Sequence, residues 1–340
     1  MLRPRGASPT GGRRASRGPA AGRGAARGPD APVLDALGPR VSYHAYRAGA
    51  EVARRIPEAV GQPAGRAVAR MSARWSTAKR AQVERNLRRA TGGRLQGRAL
   101  RRAVSETFDS YGRYWYELFH LRGDLDRAEL LADHNMVDGF HRIVEASAAG
   151  NGVILALPHI GAWDYAGAWL AVQGYPPTVV VEPVEPPELF EWFVDARRRM
   201  GMDVIPLGPE AGGAVLRALR DNRVVCLLAD RDIVGDGVEV EFFGETTTLP
   251  PGPATLALRT GAPLLPAAVY FRPDRGHHGI VLPPVPAVRE GRLRTDVVRV
   301  TQELAYRFEV LIREAPEQWH LMQPNWPSDR VDGDATAPVA

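Results

Sequence analysis

The 340-residue sequence contains very little cysteine and lysine. Cys226 is the single cysteine, so the chain cannot form an internal disulfide and its fold must be stable without one. Because Cys226 lies within the apolar run Val224–Leu228, we interpret it as a small buried side chain and not as a nucleophile. Lys79 is the only lysine, so the net charge of +5 comes almost entirely from arginine. This charge favours anionic partners: phospholipid headgroups, phosphate-bearing cofactors or nucleic acid.

Long hydrophobic runs are also missing. No run reaches the ~18 to 20 apolar residues that a membrane-spanning helix requires. The first residues lack the apolar core of ~7 to 15 residues that is typical of a signal peptide. We therefore expect the protein to stay on the cytoplasmic side, where contact with the cell membrane is peripheral and favours anionic lipid.

The motifs of several other protein classes do not occur in the sequence. It contains no Gly-x-Ser-x-Gly elbow of a serine hydrolase, and no Walker or dinucleotide-binding glycine motif. No cysteines and histidines have metal-ligand spacing. No recognised nucleic-acid-binding motif accompanies the basic charge, so nucleic acid is the weakest of the three anionic partners.

Composition divides the chain into four regions. Residues 1–30 contain seven arginines, many glycines and prolines and few large apolar side chains, which predicts a disordered basic tail. Residues 31–135 have helical periodicity and should form an N-terminal helical region that packs on the core. Residues 136–327 should form the α/β core, and residues 328–340 a disordered C-terminal tail.

The last helix predicted in the N-terminal region, Leu100–Phe119, contains a dense aromatic set. Its members are Phe108, Tyr111, Tyr114, Trp115, Tyr116 and Phe119. We favour core packing as their role, and the alternative is an apolar wall against lipid or an acyl chain.

The core alternates between strand and helix patterns. We predict strands or extended segments at Gly152–Leu157, Thr178–Val181, Asp203–Pro206, Val224–Ala229, Val238–Phe243 and Leu264–Phe271. We predict helices at Val137–Ala149, Ala162–Val172, Leu189–Met200, Ala214–Arg220, Pro253–Arg259 and Thr295–Arg313. This alternation predicts a mainly parallel central sheet with helices on both faces, a three-layer α/β fold.

Ionisable residues follow three of these apolar strands. His159 follows the first, Glu182 the next, and Asp230 with Arg231 a third. Because ligands of open parallel sheets bind at the carboxyl ends of the strands, their convergence indicates a functional site.

His159 begins a His-x4-Asp pattern that ends at Asp164. The pattern is weak evidence because about one match is expected by chance in this chain. Its position between a strand and a helix strengthens it, since the helix N-terminus favours developing negative charge. From the first turns of the helix, Asp164 could reach back to one imidazole nitrogen and leave the other as a base. The alternative is a histidine that only caps the helix.

The stretch Gly150–Leu170 resembles the signature of the bacterial lysophospholipid acyltransferase superfamily, and most closely that of phosphatidylinositol mannoside acyltransferases in its late lipid A acyltransferase branch. Other blocks agree in order and spacing: Asn86–Arg89, Tyr111–Phe119, Arg197–Leu207, Ala229–Asp232, Gly237–Gly244, Pro251–Ala254 and Pro316–Pro327. The resemblance covers about residues 41 to 327.

The resemblance implies acyl transfer from acyl-CoA to a hydroxyl without an acyl-enzyme intermediate. The implied acceptor is a mannose 6-hydroxyl of a phosphatidylinositol mannoside, the donor is palmitoyl-CoA or a relative, and no cofactor is needed. The implied catalytic residues are His159 as base, Asp164 as its partner and Glu239 as a second carboxylate. The implied substrate-binding residues are Glu182, Arg197, Arg198, Asp230, Arg231 and Glu241.

Some alternatives stay open at the level of the sequence. Glu239 and Glu241 lie two apart on a predicted strand and therefore share a face, and we favour Glu239. The oxyanion of the tetrahedral intermediate could be stabilised by backbone N–H groups of Ile160–Trp163 or by an arginine. The chain could also acylate another lipid, or be an inactive lipid-binding protein, although the intact His159, Asp164 and Glu239 argue against inactivity.

Overall fold

The computed structural model describes residues 39–121, 135–273 and 276–330. In these ranges the helices are α1 (Pro39–Arg55), α2 (Glu58–Trp75), α3 (Thr77–Ala90), α4 (Gly97–Leu121), α5 (Phe140–Ala148), α6 (Trp163–Val172), α7 (Pro187–Arg199), α8 (Ala211–Arg220), α9 (Gly252–Thr260) and α10 (Leu293–Glu314). The strands are β1 (Asn135–Asp138), β2 (Val153–Leu157), β3 (Pro177–Val181), β4 (Asp203–Pro206), β5 (Val224–Leu228), β6 (Val238–Phe242), β7 (Glu245–Leu249), β8 (Leu264–Phe271) and β9 (His277–Val281).

Seven strands form one sheet in the order β1-β9-β8-β2-β5-β3-β4, and β6 and β7 form a separate antiparallel hairpin. Within the large sheet only the β8–β9 pair is antiparallel. Helices cover both faces: α8, α9 and α10 pack on one, and α5 and α6 on the other. The predicted fold, a mainly parallel sheet between helices with a helical segment before it, is confirmed.

Sequence periodicity located most elements and missed three strands. β7 and β9 were not predicted, and the predicted helix Val137–Ala149 begins with a residue of β1. The chain changes from β1 to α5 at Gly139, which has a φ of +83° and lies where an added Cβ would touch the Val281 carbonyl oxygen. Four residues at the edge of a sheet are too few to show a period of two, so helix and strand could not be distinguished there.

The N-terminal helices pack around α4, which contacts α1, α2 and α3 and reaches α6 of the core. None of the helices in the described ranges has both the length and the apolar composition needed to cross a bilayer.

The described chain ends in a short 3₁₀ helix, Pro327–Asp329, although we predicted a disordered tail from residue 328. Asp329 is buried and binds Gln82, Arg85 and Arg89 of α3. Arg89 also lies over the ring of Trp326 at 4.2 Å. The predicted basic tail, 1–30, lies outside the described residues, as does 331–340.

Candidate active site

The site begins where β2 and β5 end side by side. These two parallel strands pair so that Leu157 lies opposite Leu228. His159 and Asp230 each lie two residues further on, and His159 Nδ1 is 2.5 Å from Asp230 Oδ1. The chain then turns at Gly161, whose φ of +58° and close approach to the Val269 carbonyl oxygen exclude a larger side chain.

The Asp230 carboxylate is completely buried and fully hydrogen-bonded. Its Oδ2 accepts the backbone N–H of His159 at 3.0 Å and the indole N–H of Trp319 at 2.8 Å. Burial raises the pKa of this carboxyl, but the charge of His159 and these hydrogen bonds lower it by more. The pKa therefore lies below its ordinary value, and Asp230 is an anion that can fix the tautomer of His159 and stabilise an imidazolium.

Asp164, the expected partner of His159, has its carboxylate in a different network. Arg197 of α7 binds it through two parallel hydrogen bonds of 2.8 and 2.9 Å. The hydroxyl of Tyr114, from α4, donates to its Oδ2 at 2.7 Å. This buried ion pair ties the first turn of α6 to α4 and α7. The carboxylate at His159 Nδ1 is Asp230, which we had assigned to substrate binding.

Glu239 and Glu241 lie away from the histidine. The β6–β7 hairpin buries Val240 and Phe242, so the alternating residues Glu239 and Glu241 are exposed. The two glutamates do share a face, as predicted, but it is the outer face of the hairpin. Within the described part of the chain, no hydrogen bond or ion pair joins the Glu239 carboxylate to His159. We therefore correct the expected position of Glu239.

The other predicted site residues divide between the cavity and the surface. Glu182 and Arg231 face each other at the ends of β3 and β5, with Arg231 Nη2 3.2 Å from Glu182 Oε2. Both line the cavity described below, and so does Arg197. Arg198 is exposed on α7 and lies 3.9 Å from Asp195, so it is not part of this cluster.

Three functional neighbours of His159 were not identified as such from the sequence. They are Trp319, Tyr114 and His320. Trp319 and His320 lie in the Pro316–Pro327 block, and Tyr114 lies in the aromatic set of α4, so their segments were noticed but their roles were not. His320 donates its backbone N–H to the His159 carbonyl oxygen at 2.7 Å.

The side chain of His320 is buried next to the catalytic candidate. Its Nε2 lies 2.8 Å from Ser110 Oγ, and its ring is 5.6 Å from that of Trp163. Burial, and then the charge of His159, lower the pKa of His320 to about 3. His320 is therefore neutral at physiological pH.

A cavity of about 710 Å³ opens beside His159. On the α6 face of the sheet it runs along apolar side chains of three strands, including Leu155, Leu157, Val179, Cys226 and Leu228. Tyr111, Tyr114 and Trp115 of α4 also line it. Burial raises the pKa of the Cys226 thiol to about 12, so this cysteine contributes an apolar surface as expected.

The backbone N–H groups that could have stabilised an oxyanion are largely engaged. The N–H group of His159 donates to the Asp230 carboxylate. The N–H group of Ile160 donates to the Pro158 carbonyl oxygen, that of Gly161 to Gln318 and that of Ala162 to Val269. An arginine was the other group that we expected could stabilise the oxyanion, and one is present at the cavity. Arg231 lines the cavity, and its buried Nε has no hydrogen-bond partner among the described residues.

Known proteins are similar to this chain over most of its length. The family model described as bacterial lipid A biosynthesis acyltransferase matches residues 38–328. The chain is 40% identical over 300 residues to a phosphatidylinositol mannoside acyltransferase of Mycolicibacterium smegmatis, covering 87% of this chain and 95% of that protein. It is 39% identical over 292 residues to a protein of the same name from Mycobacterium tuberculosis, covering 84% and 88%. A lipid A biosynthesis acyltransferase of Haemophilus influenzae is 25% identical over 182 residues, covering 53% and 55%.

Proposed function

Because this chain belongs to the bacterial lipid A biosynthesis acyltransferase family, and is therefore an acyltransferase, we propose that it transfers a fatty acyl chain from acyl-CoA to the mannose 6-hydroxyl of a phosphatidylinositol mannoside. The name of the mycobacterial relatives, each about 40% identical over most of its length, supports a glycolipid acceptor of this type. The observation that carries the proposal is the buried contact between His159 and Asp230 at the mouth of an apolar cavity.

His159 acts as the general base in this proposal. With Nδ1 held by Asp230, Nε2 is the ring nitrogen that takes the proton of the acceptor hydroxyl. The hydroxyl oxygen attacks the thioester carbonyl carbon, and the tetrahedral oxyanion then expels the CoA thiolate. The imidazolium returns its proton to the thiolate sulfur, so histidine ends unchanged. A positioned base of this kind contributes ~10²–10⁴-fold to the rate.

Asp230 and Arg231 assist from the same loop in different ways. The Asp230 anion stabilises the imidazolium that forms during proton transfer. Arg231 places positive charge at the cavity, where it can stabilise the oxyanion. The Asp164–Arg197 pair holds α6, and therefore the turn that follows His159, against α4 and α7.

The acyl chain fits the chamber on the α6 face of the sheet. Leu157 and Leu155 of β2 point to this face and line the chamber, so its wall is apolar from the strand end down to Leu155. Leu155 lies four residues before His159, about 13 Å along an extended strand. A hydrocarbon chain can therefore enter beside the base and remain out of water, which favours binding by ~0.8 kcal/mol for each buried methylene.

Peripheral contact with the membrane is supported by α2. Val60, Val68, Met71 and Trp75 are spaced eight, three and four residues apart and so lie on one side of this helix, and their exposed fractions are 60%, 60%, 49% and 81%. Such a stripe with flanking arginines is typical of a helix that lies in the bilayer interface, here of an anionic membrane. On its other side α2 packs on α4, whose aromatic residues line the cavity.

The proposal is tested by acyl transfer with purified full-length protein. Palmitoyl-CoA is supplied with a phosphatidylinositol mannoside, with a lipid A precursor, or with phosphatidylinositol, and products are identified by mass spectrometry. We expect one added acyl ester on the mannose of the first acceptor only. Acylation of the lipid A precursor alone would show that the acceptor is wrong, and no transfer from palmitoyl-CoA to any acceptor would show that the donor is wrong.

A further inference from the structure

The central strands leave apolar side chains accessible on both faces of the sheet. β3 and β5 are interior strands, yet Val180 and Leu227 are only partly buried on the face that carries α8 and α9. Cys226 and Leu228 are partly buried on the opposite face. Interior strands of parallel sheets are normally covered on both faces. The cavity therefore has two chambers, which meet over the carboxyl edge of the sheet where Glu182 faces Arg231.

The second chamber is a groove between α8 and α9. Its walls include Gly212 and Leu216 of α8 and Pro253 and Leu256 of α9, with Val180 and Leu227 below. Gly212 is exposed, and an added Cβ there would have no atom within 4 Å. Helices α4, α6 and α7 border the acyl chamber, whereas α8 and α9 border this groove.

Two arginines lie on the helices that border the groove, at similar distances along them. Arg259 lines the cavity, and Arg217 Nη1 lies 3.6 Å from the position that a Cβ on Gly213 would take. Arg217 lies six residues after the first residue of α8, and Arg259 lies seven residues after the first residue of α9. These separations correspond to about 9 Å and about 10 Å along the helix axes. Both are exposed, and neither forms an ion pair with any of the residues that the structure describes.

We propose that this groove binds the pantetheine arm of the acyl-CoA donor and that Arg217 and Arg259 bind its phosphates. The inference rests on the proposed function, because it takes acyl-CoA as donor. A thioester at His159 has two arms of different chemistry, a hydrocarbon chain and an amide-containing chain that ends in phosphates. The apolar chamber bordered by α4, α6 and α7 matches the first arm, and the groove flanked by two helices with exposed, unpaired guanidinium groups matches the second.

In this arrangement the donor crosses the carboxyl edge of the sheet, and its thioester lies at this edge beside Arg231. A phosphate is also present in a phosphatidylinositol headgroup, so the experiment must distinguish CoA from the phospholipid acceptor.

The first experiment measures CoA binding by calorimetry, with free CoA and full-length protein. Charge-assisted hydrogen bonds contribute ~1.5–3 kcal/mol, so the Arg217→Ala and Arg259→Ala variants should each weaken binding roughly tenfold or more. Arg294→Ala, an exposed arginine at the start of α10, is the matched control and should leave Kd unchanged. Gly212→Leu adds a side chain to the groove wall at a position where a Cβ meets no atom within 4 Å, and it should also weaken binding, whereas Gly49→Leu, at another helical glycine with no atom within 4 Å, should not.

The second experiment compares two donors. For palmitoyl-CoA, kcat/KM should fall roughly tenfold in each arginine variant, as CoA binding does. S-palmitoyl-pantetheine has no phosphates, so its kcat/KM should be unchanged by the arginine variants and lowered by Gly212→Leu.

Unchanged CoA binding in all groove variants, with normal use of palmitoyl-CoA, would overturn the groove assignment and leave the proposed function intact. A raised KM for the phosphatidylinositol mannoside with unchanged CoA affinity would assign the groove to the acceptor and also overturn it. Failure of the wild-type protein to bind CoA or use palmitoyl-CoA would overturn the acyl-CoA donor itself.

Discussion

His159 and Asp230 occupy equivalent positions beyond two adjacent parallel strands, each two residues after the paired Leu157 and Leu228. The in-register pairing of the strands brings the two side chains together, and Trp319 holds the carboxylate from a third segment. The two residues therefore lie in loops whose starting points are fixed by the sheet, and the position of the histidine depends on the pairing of β2 with β5.

We expect Asp230→Asn to be far more damaging than Glu239→Gln. The first change keeps the size of the side chain but removes the charge that stabilises the imidazolium, so kcat should fall by at least ~10²-fold. The second alters an exposed carboxylate on the hairpin and should leave kcat within about twofold. Steady-state acyl transfer at saturating donor, with circular dichroism to verify folding, measures both. The opposite order of effects would show that Glu239 is the catalytic carboxylate, as the resemblance had implied.

Adjacent arginines on α7 should differ greatly in their effect on stability. Arg197→Ala removes the partner of the buried Asp164, and breaking a buried ion pair in this way costs about 3–5 kcal/mol of unfolding free energy. Arg198→Ala removes an exposed group and should cost less than about 0.5 kcal/mol. Chemical denaturation of both variants gives the two values. Equal small losses would mean that the Asp164–Arg197 pair does not hold α6 in place.

The buried His320 should make stability depend on pH. Its pKa is lowered from 6.5 to about 3 on folding, so between these values the unfolded chain binds the proton and the folded protein does not. The free energy of unfolding therefore rises with pH across this window, and the histidine contributes a slope of about 1.4 kcal/mol per pH unit.

His320→Gln should remove this contribution to the slope. Denaturation midpoints of the wild type and the variant, measured between pH 4 and 7 where both remain folded, give the difference. Parallel curves for the two proteins would contradict the buried, neutral state of His320. Because Asp230 and the other carboxylates are present in both proteins, their contributions cancel in the comparison.

Trp75 should be a main determinant of membrane binding. Trp75→Ser removes the most exposed large apolar residue of the α2 stripe and should lower binding to anionic vesicles at least fivefold. Val288→Ser changes an apolar residue with a 62% exposed fraction outside this helix and should have no effect. Vesicle flotation measures both variants. Equal losses from the two changes would mean that α2 is not the contact surface.

Salt should weaken the same binding, because the arginines on α2 attract anionic headgroups through charges that salt screens. Flotation of the wild type with anionic and with neutral vesicles, each at low and high ionic strength, tests this. We expect strong recovery only with anionic vesicles at low salt. Recovery that is equal for both lipids at every salt concentration would exclude an electrostatic contribution.

The sequence was sufficient for the parts of this protein that depend on local pattern. Helical and strand periods predicted the α/β core, and the apolar strands ending in His159, Glu182 and Asp230 predicted which edge carries the site. The resemblance of ordered motifs identified the family. These inferences succeeded because a strand or helix buries its apolar face wherever the neighbouring elements lie.

The pairing of side chains was decided only by the tertiary structure. Asp164 and Glu239 were the predicted partners of the histidine, with Glu241 as the alternative to Glu239, and Asp230 had been assigned to substrate binding. The order β2-β5-β3 puts Asp230 beside His159, while α4 and α7 supply Tyr114 and Arg197 to Asp164. Strand order and helix packing are contacts between residues far apart in the chain, such as the 71 positions that separate His159 from Asp230. No local period carries that information, so the partner of the base emerges only when the sheet assembles.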